Sequence, residues 1–239
     1  KGIDMNHYSF QGEQIDLSTF IFNEEMIRLR KKYSCYVVNQ KKSGEEYVAY
    51  VRRLPISIVS DNFSEELSIH RTIKFPSIVS LVGYNEANFN YDPYPVLILE
   101  YCKHETLSDV LSLEKEGKLR EKGYSKWNNT KKMINLIGIA YAMNHLHSKN
   151  IIHRNLKCEN VLLDDNLYPK IGEFDSSKLI SSTLESASLD GPPYMYAPEY
   201  INGEDNSYSF PVDVFAYGML FYHVMSNEMP MIQHANNFD

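Results

Sequence analysis

The densest concentration of reactive side chains in this 239-residue sequence is IIHRNLKCENVLL, Ile151 to Leu163, with His153, Arg154, Asn155, Lys157 and Asn160 inside eight positions. Ten residues past Leu163, KIGEFDSSK sets Glu173 and Asp175 on either side of Phe174. Asn155 has the size of an aspartate and accepts a hydrogen bond through its carbonyl, but it has no useful basicity. It can orient a hydroxyl without taking its proton. Glu173 is an oxygen donor of the kind hard divalent cations accept. His145 and His147 lack a carboxylate or cysteine at metal-ligand spacing, so they read as surface or core residues. Cys35, Cys102 and Cys158 are widely spaced and odd in number, which argues against a disulfide framework or a cysteine zinc site and for a reducing compartment.

The elements that must position these groups change character along the chain. Tyr33 to Val38 and Tyr47 to Val51 are β-branched and aromatic runs joined by the polar NQKKSGEE, which reads as a hairpin turning at Gly44. A helix is expected over Ser64 to Ile73, stopped by Pro76, followed by short strands at Ile78 to Val82 and Pro95 to Leu99. Beyond Glu100 the pattern turns helical. Leu107 to Leu113 begins one helix, and Lys131 to Ser148 forms a longer one with Ile134, Ile137 and Tyr141 on its apolar stripe. Sheet first and helices second predicts an α+β protein of two lobes, 1–100 with a preceding extension and 101–239, hinged near Glu100 to Lys103, with ligands in the cleft.

Composition bounds the function. An apolar share of 43% and a charged share of 23% support a real core. A net charge of −7 disfavours nucleic acid and anionic membranes as partners. No run reaches the ~20 apolar residues of a membrane span, and no signal peptide is visible, so the chain is expected to be cytoplasmic. Glycine is scarce: eleven, about six fewer than the usual ~7% would supply.

HRNLKCEN resembles the H-R-D-L-x-x-x-N catalytic loop of protein kinases, with Asn155 at the aspartate. Glu173-Phe174-Asp175 stands where the family has D-F-G, Ala197-Pro198-Glu199 matches A-P-E, and Asp213 in PVDVFAYGM matches the buried aspartate of the following helix. IGIAYAMNHLHS and PSIVSLVGY are most similar to the tyrosine-kinase-like group. The resemblance covers nearly the whole chain and implies a bilobal kinase-like α+β fold. With only nine residues after Pro230, the helical lobe is expected to be truncated.

The resemblance also assigns positions. Lys157 stands at the lysine that meets the γ-phosphate, and Asn160 and Glu173 at the metal ligands, Glu173 weakening the Mg²⁺ geometry by its extra methylene. Counting along VAYV puts the V-A-I-K lysine at Val51 and leaves its helix partner Glu66 without that lysine, a solvated carboxylate or one paired to another basic group, with Arg52 pointing to the other face of the strand. The glycine-rich loop falls on Arg28 to Tyr33, RLRKKY, whose bulky side chains would keep phosphates from the backbone, although Arg28, Arg30, Lys31 or Lys32 could substitute for the lysine. Ala49, Leu107 and Leu162 are placed around the adenine, with Cys35 at the usual valine. Leu99 is the gatekeeper before Glu100 and Cys102 of the hinge. Leu81, His153, Phe174 and His70 form a spine. Ser176 to Ser188 reads as a phosphorylated loop ordered by Arg154, or as a plain polar loop.

Four losses (lysine, glycine loop, catalytic aspartate, metal aspartate) point to a pseudokinase that serves as a signalling or scaffold module for other signalling proteins or an active kinase. The alternative is a divergent Ser/Thr or Tyr kinase that transfers the ATP γ-phosphate. The expected cofactor is ATP with Mg²⁺ or Mn²⁺, weakly held, or none.

Overall fold

The computed structural model describes residues 13–180, 197–198 and 209–230. They fall in two compact units: Lys1–Lys74 with Val79–Tyr101, and Phe75–Ile78 with Cys102–Asp239.

The first unit is a six-stranded sheet with one helix. Its elements are β1 (Glu13–Gln14), β2 (Phe20–Leu29), β3 (Tyr33–Gln40), β4 (Glu46–Arg52), α1 (Ile56–Thr72), β5 (Leu81–Asn85) and β6 (Val96–Glu100). The spatial order is β1-β5-β6-β4-β3-β2; β1 joins β5 in parallel and every other pairing is antiparallel. The β3–β4 hairpin turns at Gly44, whose φ of 75° suits a residue without a Cβ. Helix α1 starts eight residues before the expected Ser64, directly after Pro55. Proline ends the preceding extended chain and presets φ for a helix start, and Val59, Phe63, Leu67 and His70 then recur on the buried side.

Strand alternation gives the sheet two unlike faces. The register aligns Tyr33 with Arg52, Cys35 with Tyr50, Val48 with Leu99 and Tyr50 with Leu97, so these residues share one face. On the other face, Phe20, Val38, Ala49, Val96 and Ile98 join Ile15 and Leu17 in a separate apolar cluster.

The second unit holds α2 (Leu107–Lys115), α3 (Asn129–Ser148), β7 (Ile151–Ile152), β8 (Val161–Leu163), β9 (Pro169–Ile171), β10 (Lys178–Leu179) and α4 (Pro211–Ser226). The sequence T-x-x-D starts α2 with a capping box: Thr106 Oγ accepts from the Asp109 N–H, and the Asp109 carboxylate accepts from the Thr106 N–H. Asn128 caps α3 through the Lys131 N–H at 3.0 Å. The buried stripe of α3 is Leu136, Ile139, Met143 and Leu146, whereas Ile137 and Tyr141 of the expected stripe face outward. Lys132 and Asn135 lie on the buried side and blur the apolar period there; Lys132 is satisfied by Glu114 at 2.7 Å. At Gly138 a Cβ would stand 2.7 Å from Pro169, so this glycine lets α3 close on β9, beside the residues that matter below.

Candidate functional site

In the first unit, one substitution in register decides the site. Arg52, not Val51, turns toward α1. Its guanidinium meets the Glu66 carboxylate at 2.5 Å with side chains only 3% and 4% exposed. Tyr33 completes the group: its hydroxyl donates to the same Glu66 oxygen, and its ring lies under the guanidinium with 4.3 Å from centroid to carbon. Tyr50 packs beside Tyr33 at 5.4 Å between rings. Both tyrosines are buried. Two expectations are thereby corrected. Val51 and Ala49 lie on the opposite face, and Arg52 turns toward Glu66 instead of away from it, so of the two readings of Glu66 the paired one holds. The count along VAYV was one residue short, and in a period-2 strand such a slip exchanges the faces.

Leu99 stands on the Tyr50 face of the sheet, as its pairing with Val48 requires. Glu100 closes β6, its carboxylate accepting from the Ser80 N–H at 2.8 Å. Cys102 opens the second unit as a half-buried thiol.

In the second unit, Ile151 to Leu163 is held from below by Asp213 at the start of α4. The Asp213 carboxylate, 1% exposed, accepts from the backbone N–H of His153 and of Arg154, both at 2.9 Å, and contacts His147 Nε2 at 2.9 Å. His153 is fixed as a neutral tautomer. Its Nδ1 accepts from the Asn155 N–H at 3.2 Å, so the proton sits on Nε2, which donates to the Gly172 carbonyl at 3.0 Å. Burial holds its pKa below the ordinary histidine value, with Asp213 pulling the other way. The Phe174 ring stands edge-on to this imidazole at 5.1 Å.

Arg154 and Glu173 both adopt left-handed backbone, φ 61° and 64°. For residues with a Cβ this costs about 1–2 kcal/mol each, and such strain persists only where the surroundings over-determine it. The bonds around them do so. Arg154 Nε donates to the Ser176 carbonyl, and Gly172 N–H donates to the Asn160 carbonyl at 3.0 Å. That last bond holds the chain just before Glu173 against the Asn160 backbone. Asn160 Nδ2 donates to the Asn155 carbonyl at 2.8 Å, which leaves its Oδ1 as the cation-donor atom. Asn155 serves the loop through its backbone; among the described residues its side-chain amide makes no hydrogen bond. Lys157 is half-buried beside Cys158, whose thiol burial pushes far up. Leu107 is fully buried and Leu162 half-buried, joined through the Thr106–Leu162 bridge.

Ser176 and Ser177 are buried, the Ser177 hydroxyl donating to the His153 carbonyl at 3.1 Å. They do not offer themselves for modification. Ser181, Ser182, Thr183, Ser186, Ser188 and Glu199 lie outside the described residues.

The family model for the protein kinase domain matches residues 32–239. The chain belongs to the protein kinase family. Its domain is 34% identical over 172 residues to a probable serine/threonine-protein kinase of Dictyostelium discoideum, covering 72% of this chain and 17% of that protein. It is 28% identical over 199 residues to a probable cell cycle serine/threonine-protein kinase, a CDC5 homolog, of Encephalitozoon cuniculi, covering 82% and 39%. Against mitogen-activated protein kinase kinase kinase 13-A of Xenopus laevis it is 34% identical over 160 residues, covering 67% and 15%. The chain thus spans under two fifths of these relatives' length.

Active kinases pair a β-strand lysine with a helix glutamate, and this kinase domain keeps that pair as Arg52–Glu66. Kinases as a family use ATP with Mg²⁺ or Mn²⁺. Here the fit is split. Asn160 and Glu173 are oxygen donors suited to a hard cation, whereas Tyr33 stands at a loop glycine and Tyr50 at the small residue of V-A-I-K, two buried rings where the family pattern has small residues. Among the described residues no cluster of three His, Cys, Asp or Glu could hold a metal, and no helix is long and apolar enough to cross a membrane. Sequence reasoning missed Arg52 and Tyr50; the signal was available in VRRL, where an arginine follows the strand's apolar residues.

Proposed function

We propose that this domain is a kinase-fold signalling or scaffold module of the cytoplasm, acting on other signalling proteins or an active kinase by binding them, with phosphotransfer weak or lost. The observation that carries this reading is the Tyr33–Arg52–Glu66 cluster. In a working kinase the cation of the pair reaches the α- and β-phosphates. Here its guanidinium lies over the Tyr33 ring and is paired with Glu66 through Nη2, with Tyr50 packed beside Tyr33. Asn155 compounds the loss, because an amide cannot accept the substrate proton, and groups serving one transition state fail together. The style of IGIAYAMNHLHS supports placing the domain near the tyrosine-kinase-like group. A thermal-shift titration with ATP and Mg²⁺ or Mn²⁺ tests the reading. No stabilisation is expected, since any ligand that binds the fold must raise its melting temperature by mass action.

One observation favours a second reading, a divergent protein kinase of low activity. The retention of a buried cation on Glu66, together with Lys157 and Asn160, preserves most of the positive and metal-directed groups. Phosphotransfer that disappears on Asn160→Ala would establish it and overturn the first.

A further inference from the structure

The sheet face opposite Tyr33 and Arg52 carries a cavity of about 330 Å³ that the kinase reading leaves unused. Val51 lines it together with three aromatic side chains, Phe22, Tyr36 and Phe89. Phe22 and Phe89 stack at 4.3 Å with 5° between planes, while Tyr36 meets Phe22 edge-on at 5.1 Å and 64°. The wall from the β5–β6 loop is rigid: Asn88 Oδ1 accepts from the N–H groups of Asn90 and Asp92 at 2.9 and 3.0 Å. Among the described residues Glu24 is the one acidic side chain lining the cavity. It sits where the pairing of β2 with β3 slips between Phe22 and Met26. Strand β2 is the last in the sheet order, so no described strand covers its outer edge, and Met26 and Ile27 stand about half exposed along it.

We infer that this groove receives an arginine side chain from an extended segment of a partner protein laid along β2. The chemistry selects the occupant. Aromatic rings and a lone carboxylate attract a cation and repel phosphates or nucleic acid. A guanidinium is the fitting cation, because it is planar, weakly hydrated, stacks on rings and forks onto a carboxylate, whereas an ammonium keeps its water. The chain's net charge of −7 steers such a partner inward. An exposed strand edge supplies backbone groups for an added strand, with the side chain giving specificity. The inference stands whether or not nucleotide binds.

The test is fluorescence anisotropy of the 239-residue chain with a labelled, acetylated Thr-Val-Arg-Val-Thr peptide, and with the same peptide carrying citrulline, the neutral isostere, for arginine. Saturable binding of the arginine peptide is expected, at least tenfold weaker with citrulline and at least tenfold weaker in Glu24→Lys. Glu24 is exposed, so the charge reversal should leave the unfolding transition in place, checked by circular dichroism; Phe89→Ala should also weaken binding. Equal affinity for citrulline, insensitivity to Glu24→Lys, or no binding at millimolar peptide would each overturn the proposal. So would self-association that Glu24→Lys abolishes, which would assign the groove to a second copy of this chain.

Discussion

Changing Tyr33 to phenylalanine isolates the bond on which the reading of the sheet face depends. The ring stays, and with it the buried area and the stack under Arg52; only the hydroxyl donated to Glu66 is lost. A hydrogen bond to a charged group contributes about 1.5–3 kcal/mol. Because both partners are almost wholly buried, water does not replace the lost donor, and the expected cost is about 2 kcal/mol. For a domain of 150–250 residues this lowers the melting temperature by roughly 4–8 °C. Urea denaturation gives the free energy, and a double-mutant cycle with Glu66→Gln gives the coupling, expected at ~1–2 kcal/mol for groups in direct contact. Arg52→Met should cost more, about 3–5 kcal/mol, because it takes the cation from a buried carboxylate. A Tyr33→Phe cost under about 0.5 kcal/mol, or a cycle with no coupling, would refute the cluster.

Further consequences can be measured on the same chain. Asn155→Asp alone should not produce phosphate transfer to a generic protein substrate with labelled ATP, because Tyr33 and Tyr50 remain; a robust signal would contradict the account of the sheet face. Asp213→Asn should loosen the Ile151 to Leu163 segment, since one carboxylate holds two of its backbone N–H groups, and limited proteolysis should then cut there first. Lys132→Ala, which leaves Glu114 with the Trp127 indole at 3.3 Å, should cost about 2 kcal/mol in denaturant, discounted because Glu114 is partly exposed. Burial lowers the pKa of His70 to about 4, so between pH 6.5 and 4 the unfolded chain binds a proton that the folded one refuses. Stability should therefore fall with acidification across that window, by on the order of 3 kcal/mol, and His70→Gln should flatten the slope; an unchanged slope would place the pH dependence elsewhere.

The fold was largely legible because its signals are local. β3, β4 and β6 carry β-branched and aromatic runs, Gly44 marks a turn, and T-x-x-D marks the start of α2. Strand β2 was not read, since its Asn23-Glu24-Glu25 centre has no alternation, and the structure resolves the difficulty with a slipped pairing at that point. Helix α1 began earlier than expected because Ser57, Ser60 and Asp61 obscure an apolar period that only its packing reveals. The Ile151 to Leu163 segment was legible as a unit, since Asp213, His153 and Asn160 carry fixed hydrogen-bonding duties. The strand site was not. A stretch such as VAYVRR is apolar or cationic in either register, so composition cannot say which side chains face α1; pairing with β3 and β6 does, and it moved the cation from Val51 to Arg52.

The most direct test of the central claim is isothermal titration of the 239-residue chain with ATP in Mg²⁺ and then Mn²⁺. The buried Tyr33 and Tyr50 predict no measurable heat of binding up to about 1 mM nucleotide, a ligand level that would raise stability by roughly 1.4 kcal/mol if Kd were ~100 μM. Saturable binding at 100 μM or tighter would contradict the proposed loss of nucleotide binding.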